Sequence, residues 1–341
     1  LILISRHHMD PYSSVRYVIL EFGATSIILI EKCYRTASIE CQNPPQRGHR
    51  EHELKKIMLA TDFSERSDRA LRRATLLARR FDASLSLVHV VDDDQPSSIV
   101  DSERRAASAL LRDLQTTVQT VDGLSCSTRV VLADPFAGIA QATDDDATDL
   151  LVIGPHRRQA LRDVFIGTTA ERTIRSVTCP VLMANGPPVG DYARVLLTTD
   201  MSAGAERAAT VCTSLGLLRG ASITILHVFD APAIHLAMSP TVAADERQAY
   251  LDDQQKEASR ALSAFVRSAN LQPARQEVRQ MRNSPAEEIL AVARDVSAEL
   301  VVIGTHGRSG LARFVLGSVA EAVLRRAAAL DVLAVPHSEG P

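Results

Sequence analysis

Tryptophan is absent from the 341 residues, and aromatic side chains make up only 4% of them. Charge of one sign is lacking too, because 38 Lys and Arg against 41 Asp and Glu leave a net charge of −3. With no basic stripe interleaved with aromatics, binding to nucleic acid is not expected. Long apolar runs are also missing: Arg16 and Glu21 interrupt the one candidate for a stretch of about 18 apolar residues, which argues against a membrane span. A charged start, an apolar core and a small-residue cleavage site do not line up as a signal peptide. The five cysteines, Cys33, Cys41, Cys126, Cys179 and Cys212, are odd in number and never spaced C-x-x-C. Neither a disulfide framework nor a zinc site follows, and a reducing cytoplasm is the expected compartment.

What the chain does have is an internal repeat. Lys56-Ile57-Met58-Leu59-Ala60-Thr61-Asp62-Phe63-Ser64 returns 138 residues later as Arg194-Val195-Leu196-Leu197-Thr198-Thr199-Asp200-Met201-Ser202, and Leu87-Val88-His89-Val90 returns at the same offset as Ile225-Leu226-His227-Val228. Further on the offset is 150, matching Asp134-Pro135 to Ser284-Pro285 and Leu150-Leu151-Val152-Ile153-Gly154 to Leu300-Val301-Val302-Ile303-Gly304. The second copy therefore carries about twelve extra residues between its second and third strands. Asn185-Gly186-Pro187-Pro188-Val189-Gly190 reads as a linker. Two domains are expected, residues 53–185 and 191–337, each long enough for its own core. Residues 1–52 have no counterpart; they read as a disordered tail or a start-site artefact in a chain that begins at Leu1.

Each copy alternates short β-branched runs with helical periodicity, the signature of an α/β domain with an open parallel sheet and right-handed crossovers. Ser64 is placed to cap a helix whose apolar stripe is Ala70, Leu71, Ala74, Leu77, Ala78 and Phe81. Leu251, Ala258, Leu262, Phe265, Val266 and Ala269 read as the corresponding stripe on a longer helix in the second copy. Asp134-Pro135 and Ser284-Pro285 supply a capping side chain followed by proline at the first helical position.

The segment Gly304 to Ser318 carries the chemistry. Leu300-Val301-Val302-Ile303 reads as a strand buried on both faces, then Gly304, Gly307 and Gly317 punctuate a loop, and Ser318 with Glu321 has capping-box spacing at the head of a helix. A helix start offers free N–H groups and the positive end of its dipole, which suits a phosphate. Glycine lets backbone approach the ligand. His306, Arg308 and Ser309 stand where they could touch the outer phosphates, or be a solvated loop tip. Asp200 follows an apolar strand at the carboxyl end of the sheet, where open α/β folds bind ligands, although it or Ser202 could equally serve the next helix as a cap. His227 has no nucleophile and orienting group beside it in sequence, and reads as a packed strand histidine.

The spacing Gly, two residues, Gly, nine residues, Gly-Ser is neither a Walker loop nor a dinucleotide fingerprint. It resembles the ATP-binding signature of the universal stress protein family. The likeness extends over residues 53 to 337 and implies two tandem Rossmann-like domains that pair by their last strands as a pseudo-two-fold dimer within one chain. It implies ATP, held with Mg²⁺, at Thr199, Asp200, Val228, Gly304, His306, Gly307, Arg308, Ser309, Gly317, Ser318 and Val319. The family's strand-end Asp falls on Asp200, which could also assist the metal, and its adenine-contacting backbone on Val228. In the first copy Asp62, Val90, Gly154, Gly167 and Thr168 answer the same pattern, but Arg157 replaces the second glycine and Ala160 the counterpart of Gly310. Arg157 would either strain or close that site, or pair with phosphate. The function implied is a cytoplasmic stress-response regulator acting by nucleotide-dependent conformation or partner binding, with a regulatory protein and a second copy of the chain as partners. A slow ATPase or phosphotransferase, or a scaffold without nucleotide, are the alternatives.

Overall fold

The computed structural model describes residues 6–8, 16–22, 25–31, 54–155, 169–231, 244–271, 274–305 and 316–336. The chain divides into two units, Leu1–Arg50 and Glu51–Pro341. In the first, strands β1 (Arg6–His8), β2 (Arg16–Phe22) and β3 (Thr25–Glu31) form an antiparallel sheet in that order.

The second unit is built on one ten-stranded sheet. Its first copy supplies β4 (Lys56–Ala60), β5 (Ser84–Val91), β6 (Cys126–Leu132), β7 (Leu150–Ile153) and β8 (Val181–Met183). The second supplies β9 (Arg194–Thr198), β10 (Ser222–Phe229), β11 (Arg275–Gln280), β12 (Leu300–Gly304) and β13 (Asp331–Val335). The order across the sheet is β11-β10-β9-β12-β13-β8-β7-β4-β5-β6. Within each copy all pairings are parallel. Each copy thus runs 3-2-1-4-5 with its switch point between strands 1 and 4, β4 beside β7 and β9 beside β12.

Strand residues alternate between two cores. Ile57 and Leu59 go to one face with Val195 and Leu197, while Met58 and Leu196 go to the other. The first face is covered by α1 (Glu65–Phe81), α2 (Ser97–Thr117), α5 (Ala203–Ser214) and α6 (Ala244–Ser268), the second by α3 (Pro135–Asp145), α4 (Thr169–Ser176), α7 (Pro285–Asp295) and α8 (Ser318–Arg326). Both cores run unbroken from one copy into the other. The stripe expected on Ala70 to Ala78 is buried in α1, and Ala258, Leu262, Phe265 and Val266 are buried in α6. Their assumed correspondence is wrong, however. The counterpart of α1 is the short α5, directly after the repeated strand, and α6 answers α2. Apolar spacing is clearer on the long α6 than on α5, whose buried face is the small residues Ala205, Ala208, Ala209 and Cys212.

The two copies join where β8 meets β13 antiparallel, Leu182 opposite Leu333, with Val181 opposite Ala334 and Met183 opposite Val332. Helices α4 and α8 reinforce the seam with a reciprocal pair of ion pairs: Arg325 reaches Glu171 at 3.3 Å and Arg175 reaches Glu321 at 3.4 Å. Repeat-equivalent residues making swapped contacts are the mark of a two-fold interface.

Antiparallel pairing also brings the end of β8 beside the start of β13, so a short linker suffices to reach β9. That linker is held from both copies. Gly186 N–H and the Tyr192 hydroxyl each donate to the Asp331 carboxylate at 2.6 Å. Arg73 of α1 brings Nε to 2.9 Å from Asp331, donates to the carbonyls of Gly190 and Pro187 at 2.7 and 3.2 Å, and lies over the Tyr192 ring. The Asp331 and Arg73 side chains are 0% and 5% exposed.

Candidate nucleotide site at the switch point

In the second copy the switch point is lined by the ends of β9 and β12. Thr198 donates its hydroxyl to the Val302 carbonyl at 3.0 Å, tying the two strands just before they end. Thr199 is buried; its N–H pairs with the Leu226 carbonyl at 2.9 Å, and its carbonyl lies 2.9 Å from Nδ1 of His227. His227 is thus a buried strand histidine fixing the turn, as its sequence context suggested. The chain then turns through Met201 at φ +64, a left-handed conformation rare for such a side chain, held by its N–H donating to Thr199 Oγ1 at 2.9 Å. Asp200 Oδ1 accepts from Ser202 N–H at 3.0 Å, and Ser202 Oγ accepts from Ala205 N–H at 3.3 Å. The cap of α5 is therefore Ser202, and Asp200 stands half-buried at the mouth of the crevice.

On the facing side, Gly304 ends β12 opposite Val335 of β13. Gly317 N–H donates to the Thr305 carbonyl at 2.7 Å, which pins the two ends of the loop together. A Cβ on Gly317 would sit 3.1 Å from that carbonyl oxygen, close enough that the carbonyl would have to shift to admit a side chain. Gly317 is also the N-cap of α8, and it provides no side-chain cap. The expected capping box of Ser318 and Glu321 does not form. Ser318 is the first helical residue, and Glu321 pairs instead with Arg325 at 2.6 Å and with Arg175 across the seam. The start of α8 consequently presents backbone N–H groups with no capping side chain of its own. Ser318 is exposed there and Val319 half-buried. Val228 is half-buried on β10, opposite Arg279 of β11. Asp200, Thr199, Gly304, Gly317, Ser318 and Val319 thus gather at the carboxyl ends of β9 and β12. His306, Gly307, Arg308 and Ser309 lie outside the described residues.

The first copy keeps the frame and changes the contacts. His89 Nδ1 lies 2.8 Å from the Thr61 carbonyl, and Phe63 at φ +57 repeats the left-handed turn. Ser64 occupies the cap position of α1 but makes no cap hydrogen bond, contrary to expectation. Its hydroxyl donates to Asp62 Oδ1 at 2.5 Å. Gly154 packs against the first turn of α1, with a Cβ there coming within 3.1 Å of the Arg66 carbonyl. Val90 is half-buried on β5. Gly167, Thr168 and Arg157 lie outside the described residues. Sequence reasoning did not find the left-handed residues Phe63 and Met201 or the seam pairs. The repeated Thr-Asp-x-Ser and Glu-x-x-x-Arg spacings, Glu171 to Arg175 and Glu321 to Arg325, were the available signals.

Order and crevice define a doubly wound α/β domain, duplicated in tandem, with its crevice at the switch point, where open α/β folds bind ligands. The sequence pattern of the universal stress protein family matches residues 53–185 and again 191–336, so the chain belongs to that family. It is 26% identical over 292 residues to universal stress protein Rv2005c of Mycobacterium tuberculosis, spanning 80% of this chain and 94% of that one. Among solved structures, the universal stress protein of Archaeoglobus fulgidus superposes with a TM-score of 0.62 at 18% identity, covering 84% of this chain and 99% of that one. A putative universal stress protein of Pseudomonas aeruginosa gives 0.57 at 19% identity over 84% and 94%. Among the described residues no helix is long and apolar enough to cross a membrane.

Proposed function

We propose that this chain is a cytoplasmic ATP-binding regulator of the stress-protein type, with nucleotide in the second copy. The observation that carries this reading is the pairing, across one crevice, of the Asp200 carboxylate with the start of α8, where Gly317 brings no side-chain cap. A carboxylate suits the ribose hydroxyls and a helix start suits phosphate, so the two ends of the site match the two ends of a nucleoside triphosphate. Val228 would wall the base. Mg²⁺ would be held mainly by the phosphates with Asp200 in support, since it commonly takes few protein ligands. Among the described residues no group of three His, Cys, Asp or Glu offers a separate metal site. Occupancy would bias a conformation or a surface read by a regulatory protein or a second copy of the chain.

Protein denatured directly after purification should release ATP. Gly317→Asp should weaken ATP binding about thirtyfold, roughly 2 kcal/mol, because a carboxylate meets phosphate at the helix start. Since any Cβ there presses on the Thr305 carbonyl at 3.1 Å, Gly317→Ala is the control that separates crowding from charge. Absence of released nucleotide together with absence of calorimetric binding overturns the reading. Multiple turnovers of ATP would move it to the hydrolytic alternative.

A further inference from the structure

Among the described residues the ten-stranded sheet ends in β6 on one side and β11 on the other. β11 runs parallel to β10, and the Met281 N–H donates to the Phe229 carbonyl at 2.8 Å. Parallel alternation then turns the backbone groups of Arg275, Glu277 and Arg279 toward β10 and those of Gln276, Val278 and Gln280 outward, off the sheet. Side chains alternate with the same period. Glu277 and Arg279 share one face, where Glu277 holds Arg275 at 3.2 Å and Arg279 at 3.0 Å, and Arg279 also reaches Asp295 of α7 at 3.1 Å. On the other face Ser263 of α6 donates to Gln276 Oε1 at 2.8 Å. Ser259 and Ser263 of α6, with Gln276 and Val278 of β11, line a groove of about 340 Å³ along that side of the strand.

The strand matches its own reverse. Centred on Val278, an antiparallel strand of identical sequence sets Gln276 against Gln280, Glu277 against Arg279, and Val278 against itself. The outward residues 276, 278 and 280 fall in hydrogen-bonded pairs, and three such pairs at two bonds each give about six backbone hydrogen bonds. Glu277 and Arg279 fall in the pairs between them, where Cα atoms come to about 4.5 Å and side chains lie closest. Two glutamates and two arginines then alternate around a square, each carboxylate between guanidinium groups, while the groove beside α6 leaves room for the facing Gln280.

The β6 edge fails the same match. Thr128 answers Val278 at the 150-residue offset, and pairing centred on it sets Arg129 against Ser127, with no carboxylate in reach. Gln115 Nε2 already donates to the Cys126 carbonyl at 2.5 Å, which takes up an outward acceptor of that strand, and Arg129 is held by Asp145 at 2.7 Å.

We propose that β11 is the docking edge for a second molecule of this chain, the two strands pairing antiparallel about Val278 and joining two ten-stranded sheets into one. The contact lies at the sheet edge and goes beyond the reading of the switch point, since it needs no nucleotide.

Sedimentation equilibrium on the full chain without ATP should give a dimer at micromolar concentration, and a monomer overturns the proposal. Glu277→Arg sets arginine opposite Arg279, and Arg279→Glu sets glutamate opposite Glu277, so each variant alone should dimerise at least about a hundredfold more weakly. Mixed in equal amounts the two should recover the dimer, because every cross-strand pair is again of opposite sign. Variants that dimerise fully alone, or a mixture that stays monomeric, overturn the register. Val278→Pro removes an outward N–H that β10 does not use and should give a folded monomer, whereas Thr128→Pro on β6 should leave the dimer intact. A dimer that survives Val278→Pro, or that a folded Thr128→Pro chain loses, overturns the assignment to β11.

Discussion

Set beside each other, the copies keep the same strand order, the same left-handed turn after the strand-end aspartate and the same histidine under it, yet spend that aspartate differently. Both carboxylates accept the N–H of the serine two positions on; Asp62 also takes the Ser64 and Ser67 hydroxyls, whereas in the second copy Ser202 caps α5. The frame is fixed by backbone hydrogen bonds and two continuous cores, which tolerate exchange of Ser67 for Ala205 without strain. The site is fixed by single hydroxyls. Duplication therefore leaves the frame symmetric while single side chains set the contacts of each strand-end aspartate.

The sharpest way to break the comparison is at Arg73 and Asp331, because the repeat offers Val211 and Pro180 at the equivalent places and the cluster exists once per chain. Arg73→Met should lower stability at neutral pH by about 3 to 5 kcal/mol, measured by denaturant unfolding, since it leaves a buried carboxylate without its cation. The pH dependence has a definite sign. Burial raises the Asp331 carboxyl above its usual range, with Arg73 the chief opposing influence. The folded chain thus holds that proton more tightly than the unfolded one, and the group favours folding below the ordinary aspartate pKa and loses that advantage as pH rises through its raised value. Removing Arg73 widens the gap. The deficit of the variant should shrink as pH falls toward about 4 and below.

A smaller effect is expected at the seam. The pair of Glu171 and Arg325 and the pair of Arg175 and Glu321 are equivalent by repeat but unequal in burial, the Glu171 and Glu321 side chains being 6% and 25% exposed. Arg325→Ala should cost about 2 kcal/mol, and Arg175→Ala less than about 1 kcal/mol, because Glu321 keeps Arg325 at 2.6 Å. Equal losses from thermal unfolding would show that the inequality in burial does not matter. The smallest expected effect compares the two cap serines. Ser202→Ala should cost about 1 kcal/mol as a lost helix cap, and should appear as faster amide exchange at the start of α5. Ser64→Ala should leave exchange at the start of α1 unchanged, since that hydroxyl is on Asp62.

Much of this was legible in the sequence. The β-branched runs at Leu150 and Leu300 became the strands β7 and β12 at the switch points, and Asp134-Pro135 and Ser284-Pro285 start α3 and α7 with the side-chain caps in place. The pairing of Val181, Leu182 and Met183 with Val332, Leu333 and Ala334 followed from the tandem likeness and is the observed register. What sequence hid was competition for a single acceptor or donor. Ser64 and Ser202 follow the same strand-end aspartate, yet Ser202 Oγ accepts the Ala205 N–H while Ser64 accepts no cap bond, with Glu65-Arg66-Ser67 after one and Ala203-Gly204-Ala205 after the other. Ser318 and Glu321 likewise fit a capping box until Arg175 and Arg325, one of them from the other copy, claim the carboxylate. The cluster of Arg73, Tyr192 and Asp331 joins residues far apart with no repeated spacing to betray it.

The seam also sets an order of events during synthesis. β8 emerges as the bare edge of the first copy's sheet, and its partner β13 follows about 150 residues later. At ordinary translation rates of about 5 to 20 residues per second, that edge stands open for roughly 8 to 30 s. Asp331, the acceptor that fixes the linker, arrives at the same moment as the strand that covers the edge. A nascent first copy must therefore wait, chaperoned or guarded by its own solubility, until one late strand closes the sheet and fastens the connection between the halves in a single step.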